Sequence, residues 1–367
     1  MKKIALMVSN LCTLGGTERV TANLSKDLSQ YYDCTIITQW CNGKYAYDID
    51  KKIKIFNLYD KQKRLRYIAV DAVKKIREYI LKNKIEVVIV VGRNNGIIPL
   101  LVKLCTKVKL VYCEHSSLIS YKFYNESIKQ KIYRKLLQTM LYHVPDCVVT
   151  LTDKSREHYK NSSMPCCRIY NAIDENLRDM NYKYDINLKK IITVGRIDYA
   201  KGYEYLIEVA KKVFTNHPDW RWDIYGNESL NIDYSYKLKE KVKNEGLKDK
   251  IIFYGDCSNI YDMYKEHSFL VMTSRYEGFG MVLIEAKANG LPLISFDIEA
   301  GPSDIIRNGI DGYLVKPFDI DTMAERICEL IEDGNKRTSF SQAACGNLEK
   351  FSSNTITRQW IELIERV

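Results

Sequence analysis

Apolar runs of strand length alternate with segments of helical spacing along the chain. Residues 3–9 (KIALMVS), 34–40 (CTIITQW), 85–92 (IEVVIVVG), 108–115 (VKLVYCEH) and 147–152 (CVVTLT) are near-continuous apolar runs. Between them, residues 17–30, 66–83 and 127–144 repeat apolar positions at helical spacing. Strands that are apolar on both faces and separated by helices predict a parallel sheet covered on both sides. The alternation then starts again. Strands are expected at 189–196, 220–226, 250–255, 267–274 and 291–296, with helices at 202–217 and 280–290. The expected fold class is α/β, two doubly wound Rossmann-like domains in tandem. A polar, weakly periodic stretch near 171–188 marks the join, so the domains are expected at 1–175 and 176–350, with a final helix over 354–366.

Composition narrows this little. At 367 residues the chain suits two domains of moderate size. Its 46% hydrophobic and 28% charged content is that of a soluble globular protein. No run of 18 apolar residues exists, so no membrane-spanning helix is expected. The start, MKKIALMVSNLCTLGG, has the lysines of a signal peptide, but polar Ser9 and Asn10 cut its apolar run short. Eleven cysteines, Cys166 and Cys167 adjacent, show no metal-ligand spacing and suggest reduced thiols in the cytoplasm. Charge is uneven. Residues 1–175 carry 30 Lys and Arg against 16 Asp and Glu, whereas 176–367 carry 26 against 30. The basic half either faces an anionic partner or is simply a solubilising surface. No basic motif with interleaved aromatics occurs, so nucleic acid is not an expected partner.

Ligands in doubly wound folds bind beyond the C-terminal strand ends, where helix N-termini favour anions. Three segments carry candidate chemistry there. Gly15 and Gly16 follow the first strand and either let the backbone approach a ligand or make a plain turn. They are not part of a G-x-G-x-x-G, and no Walker motif exists, which argues against a nicotinamide dehydrogenase and a P-loop ATPase. In VGRIDYAKG (194–202), Arg196 closes a strand and Lys201 opens a helix. Two such cations can grip a diphosphate, or they are solvated surface charges. In SRYEGFGMVLIEAKANGLPLIS (274–295), Glu277 ends a loop, Gly278 and Gly280 permit a tight turn, and Glu285 lies one turn into a helix starting near Met281. One carboxylate can hold a hexose and the other a ribose, with phosphate on the helix dipole between them. The competing reading is an amphipathic helix with two surface glutamates.

These segments, with GPSDIIRNGIDGYLV (301–315), GGTER (15–19), CEHS (113–116) and YNAID (170–174), resemble glycosyltransferase family 4 in order and spacing. Its members have the GT-B fold, two doubly wound domains facing each other across a cleft. The resemblance implies retaining, metal-independent transfer of a hexose or N-acetylhexosamine from a nucleotide diphosphate sugar. UDP is the preferred carrier on family prevalence. The implied acceptor is a saccharide, lipid-linked, in bacterial surface-polysaccharide synthesis, held by the N-terminal domain. By the same resemblance Arg196 and Lys201 are the diphosphate clamp, Glu277 holds the donor sugar and Glu285 the ribose. Gly278, Phe279, Gly280, Met281 and Val282 form the donor loop, and Gly15 and Gly16 approach the donor from the other domain. His115 points at the donor sugar, or is a satisfied polar residue at a strand end. The segment 351–367 is expected to cross back onto the N-terminal domain. A nucleotide-sugar epimerase and a non-catalytic nucleotide-sugar binder are the alternatives; the paired glutamates and the presence of both cations argue against them. Lys129, Lys131, Arg134 and Lys135 lie beside Ile132, Tyr133, Leu136, Leu137, Met140 and Leu141, and Lys61, Lys63, Arg64 and Arg66 form a second basic cluster. This pattern fits a peripheral protein on an anionic inner membrane surface, or a core helix with a solvated basic face.

Overall fold

A computed structural model describes residues 1–13, 15–63, 65–115, 120–123, 126–173, 184–229, 231–257 and 259–367, without the side chains of 65 and 66. Arg64, the Arg66 side chain, Ser116 and Asp174 lie outside the described residues. The chain forms two compact units, Met1–Ala172 with Phe351–Val367, and Ile173–Lys350.

The first unit runs β1 (Lys3–Val8), α1 (Gly16–Leu28), β2 (Asp33–Trp40), β3 (Lys54–Tyr59), α2 (Leu65–Asn83), β4 (Val87–Val91), α3 (Ile98–Leu104), β5 (Lys109–Cys113), α4 (Ile128–Leu141), β6 (Cys147–Thr150), α5 (Asp153–Glu157) and β7 (Cys166–Arg168). Its seven-stranded sheet has the order β3-β2-β1-β4-β5-β6-β7, every pair parallel. Both faces are covered, which is why β4 (VVIVV) is apolar throughout and buried at every position. The order reverses between β1 and β4, so their C-terminal ends are this unit's ligand-binding edge by the switch-point rule.

The second unit runs β8 (Lys190–Val194), α6 (Tyr203–Asn216), β9 (Arg221–Tyr225), α7 (Ile232–Asn244), β10 (Ile251–Gly255), α8 (Ile260–Lys265), β11 (Phe269–Met272), α9 (Met281–Ala288), β12 (Leu293–Phe296), α10 (Pro302–Ile305), β13 (Gly312–Val315), α11 (Ile320–Glu332) and α12 (Gly334–Cys345). Its parallel sheet has the order β10-β9-β8-β11-β12-β13, with the switch point between β8 and β11. A last helix, α13 (Ser353–Arg366), belongs to the first unit and packs on α1. Ile356, Trp360, Leu363 and Ile364 form its buried stripe. Lys2 Nζ donates to Ile364 O at 2.6 Å, and Tyr32 donates to Glu365 at 2.7 Å.

Apolar runs did not disclose β3, β7 and β13, all three edge strands. β3 and β7 are half-exposed over much of their length, so the covering that makes inner strands apolar is missing, and β13 is only four residues long and opens on a glycine.

Candidate functional site

In the second unit two loops leave adjacent strands, residues 195–202 after β8 and 273–280 after β11. Lys201 lies in a 3-10 turn, Tyr199–Lys201, two residues before α6 rather than within it. Asp198 caps that turn, accepting from Ala200 N at 3.0 Å. Lys201 Nζ donates to Glu277 Oε1 at 2.7 Å, and Ser274 Oγ donates to the same oxygen at 2.6 Å. Both partners are nearly closed off, with side-chain exposures of 17% and 11%. Removal from water makes this pair stronger than a surface ion pair. Arg196 sits two residues past the end of β8, half-exposed, and faces Asp198 Oδ2 at 3.3 Å. The two cations therefore share a loop but not a partner.

The loops are stapled together. Arg275 N donates to Ala200 O at 2.7 Å, Arg275 Nη1 to Tyr199 O at 2.6 Å, and Thr273 Oγ1 to Lys201 O at 3.2 Å. The Arg275 guanidinium stacks 3.8 Å from the Tyr199 ring and pairs with Glu204 at 3.0 Å.

Gly280, at φ +91, turns the chain into α9, and no side chain caps that helix. The N–H groups of its first turn, starting at Met281 and Val282, are thus not taken up by a cap. Gly278, Met281 and Val282 are half-buried beside buried Phe279. The helix is not the amphipathic one weighed from sequence: all six residues from Leu283 to Ala288 are buried. Glu285 is among them and accepts from Tyr264 at 3.1 Å. Lys287, fully buried, bonds Ile305 O at 2.7 Å and Asp311 at 2.8 Å, which anchors the far end of the helix.

In the first unit the glycine pair has an internal partner. A β-carbon built on Gly15 would fall 2.3 Å from Glu18 Oε2, whereas one on Gly16 would meet nothing within 4 Å. Buried Glu18 accepts from Asn10 Nδ2 at 3.1 Å, Thr13 at 3.1 Å and Thr17 at 2.8 Å. An acidic side chain in the first turn of α1 also suits the helix dipole. A β-carbon on Gly15 would have to displace the Glu18 carboxylate from these hydrogen bonds.

His115 lies two residues beyond β5 rather than at the strand's end. Its Nε2 contacts Cys113 Sγ at 3.2 Å. Burial pushes its pKa down to about 4, so the ring is neutral near pH 7. A β-carbon on Gly92 would meet Thr17 at 3.1 Å and His115 at 3.9 Å, so the ends of β4 and β5 and the start of α1 converge. Arg93 pairs with buried Glu114 at 3.0 Å and donates to Gln138 of α4 at 3.0 Å. Asn10, Glu18, Arg93, Glu114, Ser274 and Arg275 were not singled out from sequence. For Asn10, Arg93, Glu114, Ser274 and Arg275 the available signal was a polar or charged side chain just after an apolar strand; Glu18 lies inside α1 and carries no such signal. Among the described residues no group of three or more His, Cys, Asp or Glu side chains is placed to hold a metal ion.

Two family patterns match this chain. The one described as Glycosyltransferase Family 4 matches residues 14–177, and the one described as Glycosyl transferases group 1 matches residues 181–345. The amylovoran biosynthesis glycosyltransferase AmsD of Erwinia amylovora is 26% identical over 99% of this chain and 100% of its own. A Campylobacter jejuni α-1,4-N-acetyl-D-galactosaminyltransferase, named for a diNAcBac-PP-undecaprenol-linked substrate, is 25% identical over 100% of this chain and 99% of its own. Among solved structures, Anabaena HepE in complex with UDP and glucose superposes with a TM-score of 0.80 at 17% identity, covering 100% of both chains. Two doubly wound parallel sheets, with these relatives and neighbours, define the class: a glycosyltransferase of the GT-B fold. Within that class the chain belongs to the family that joins a Glycosyltransferase Family 4 domain to a group 1 domain.

Proposed function

We propose that this enzyme transfers a hexosyl or N-acetylhexosaminyl residue, with retained anomeric configuration and without a metal, from a nucleoside diphosphate sugar to a saccharide acceptor. UDP is the preferred carrier, and the acceptor is lipid-linked, in bacterial surface-polysaccharide synthesis at the inner face of the membrane. The Lys201–Glu277 pair beside the uncapped tip of α9 carries this reading. A cation, a carboxylate and orphan N–H groups at one switch point suit a sugar diphosphate. The UDP and glucose of the HepE complex support the donor class, and the undecaprenol-linked substrate named for the Campylobacter relative supports the acceptor class.

In the mechanism that follows, Lys201 and Arg196 stabilise the departing diphosphate, with the α9 tip adding N–H donors. Glu277 orients the donor sugar through its hydroxyls, and Glu285 holds the ribose. Glu277 is not assigned as a nucleophile, because one of its oxygens already serves Lys201 and Ser274. The C1–O bond to phosphate breaks and the acceptor oxygen joins C1 on the same face. The acceptor's proton passes to the departing phosphate oxygen. Neutral His115 contributes a hydrogen bond rather than a charge.

A panel of UDP-, GDP- and ADP-sugars, scored by thermal shift and hydrolysis, tests the donor. Lys201→Ala and Glu277→Ala are expected to lower kcat by roughly two to three orders of magnitude on the preferred donor. Full turnover in both variants would overturn the site. Chelator is expected to leave the rate unchanged, and the product's anomeric proton coupling reads retention directly.

A further inference from the structure

The loop after β8 is fixed firmly enough to aim its side chains. Gly195 O accepts from the Tyr203 hydroxyl at 2.6 Å, and Ile197 N donates to Asn227 O at 2.8 Å. The Ile197 side chain is buried. A β-carbon on Gly195 would fall 3.1 Å from Lys201 Cε, and one on Gly226 would fall 1.9 Å from Gly195 O. The loop is therefore packed against its own lysine on one side and against the chain leaving β9 on the other. Between Arg196 and Asp198 the backbone turns tightly, Asp198 N donating to Arg196 O at 2.9 Å. That turn brings together the two side chains flanking Ile197, with Arg196 Nη2 3.3 Å from Asp198 Oδ2.

The two oxygens of Asp198 serve different partners. Oδ1 accepts from Ala200 N at 3.0 Å and caps the turn that carries Lys201. Oδ2 meets Arg196. A cap needs only one oxygen acceptor, which asparagine supplies as well as aspartate. The cap thus leaves the negative charge of Asp198 unexplained. The loop's two cations also differ. Lys201 is closed off with Glu277, whereas the Arg196 and Asp198 side chains are 53% and 21% exposed. An ion pair open to water is weak and is exchanged readily for a better anion. Lys201 is the fixed cation of this loop and Arg196 the movable one.

We infer that Asp198 is a counter-ion that competes with the nucleoside diphosphate for Arg196, and so limits how tightly the spent leaving group is held. The inference rests on the proposed donor site and adds to it a positioning residue that acts through Arg196 rather than on the ligand. The departing diphosphate ends in a free phosphate and carries more negative charge than the diester of the intact donor. Two unopposed cations would therefore grip the product harder than the substrate. A carboxylate fixed beside one of them takes that cation back as the product leaves.

The test uses the full chain, titrated calorimetrically at about 0.1 M salt with UDP, GDP and ADP and with their free nucleosides. Asp198→Asn keeps the cap, so its melting temperature should match wild type. It is expected to bind the preferred nucleoside diphosphate about three- to fivefold more tightly, with the affinity for the free nucleoside unchanged. Arg196→Ala alone should weaken the diphosphate. In that background, with no guanidinium to release, Asp198→Asn should change the affinity by less than about twofold. Diphosphate affinity unchanged or lowered in Asp198→Asn would overturn the inference alone and leave the donor site standing. An equal gain in the Arg196→Ala background would also overturn it, by showing plain repulsion in place of competition, as would an equal gain for the free nucleoside. Wild type that binds none of the three diphosphates would bring down the inference together with the site it rests on.

Discussion

At the scale of the residue, the glycine of the first loop shows how one letter can have two causes. Gly15 invites the reading that a ligand approaches its backbone, yet Glu18 Oε2 already occupies the space a β-carbon would need. A double-mutant cycle separates the two. Gly15→Ala alone is expected to lower kcat/KM at least about tenfold by expelling the Glu18 carboxylate. In a Glu18→Ala background the same change should cost little. A full penalty in that background would return Gly15 to a direct role toward ligand. His115 gives a second prediction. An ordinary imidazole titrates near 6.5, but burial holds this one at about 4. Between those values the unfolded chain binds more protons than the folded one, so stability rises with pH across that window and is lost as pH falls through it. His115→Gln should flatten the curve between about pH 4 and 6.5 in urea melts. A slope unchanged from wild type would contradict the buried neutral ring.

At the scale of the element, two loops act as one object because Arg275 joins them. Its guanidinium reaches Tyr199 O and Glu204 while its backbone bonds Ala200, so the turn bearing Lys201 and the loop bearing Glu277 share one anchor. Arg275→Met is expected to lower kcat/KM at least about tenfold and to weaken binding of the nucleoside diphosphate far more than the free nucleoside. Arg275→Lys should not restore it, because an ammonium lacks the planar fork and the stack on Tyr199. Equal loss of both ligands would mark a general unfolding instead. Helix α9 is fixed at its other end by Lys287, whose pKa burial pulls down while Asp311 opposes it. Lys287→Met should cost about 2–4 kcal/mol in denaturant melts; the lower end reflects Arg307, which still pairs with Asp311 at 2.6 Å. The sequence announced this helix and its start at Met281 through the glycine turn. It did not announce that Glu285 and Lys287 are internal, because a charged letter reads as solvent-facing until its partners, Tyr264 and Asp311, are known.

At the scale of the whole molecule, the first unit is completed by the chain's last residues. Phe351, Ile356, Trp360, Leu363 and Ile364 are buried there. At about 1.5–3 kcal/mol for each buried side chain, losing five exceeds much of a domain's usual stability. A chain ending at Lys350 is expected to lose the cooperative melt of the first unit and keep that of the second; two intact transitions would refute this. Residues 1–350 alone leave the dependence invisible, since no local pattern links α13 to α1. By itself the sequence determined the two doubly wound domains, the places of their inner strands along the chain, the loops that carry Arg196, Lys201 and Glu277, and the helix that carries Glu285. Those follow from local periodicity and from the apolar runs that a two-sided sheet requires. Only the tertiary structure decided which charges meet. Lys201 closes on Glu277, Arg196 turns to Asp198, Glu18 fills the space above Gly15, and α4 turns an aliphatic ridge outward. Pairing and burial depend on residues far apart in the chain, and the spacing of letters carries no record of those distances.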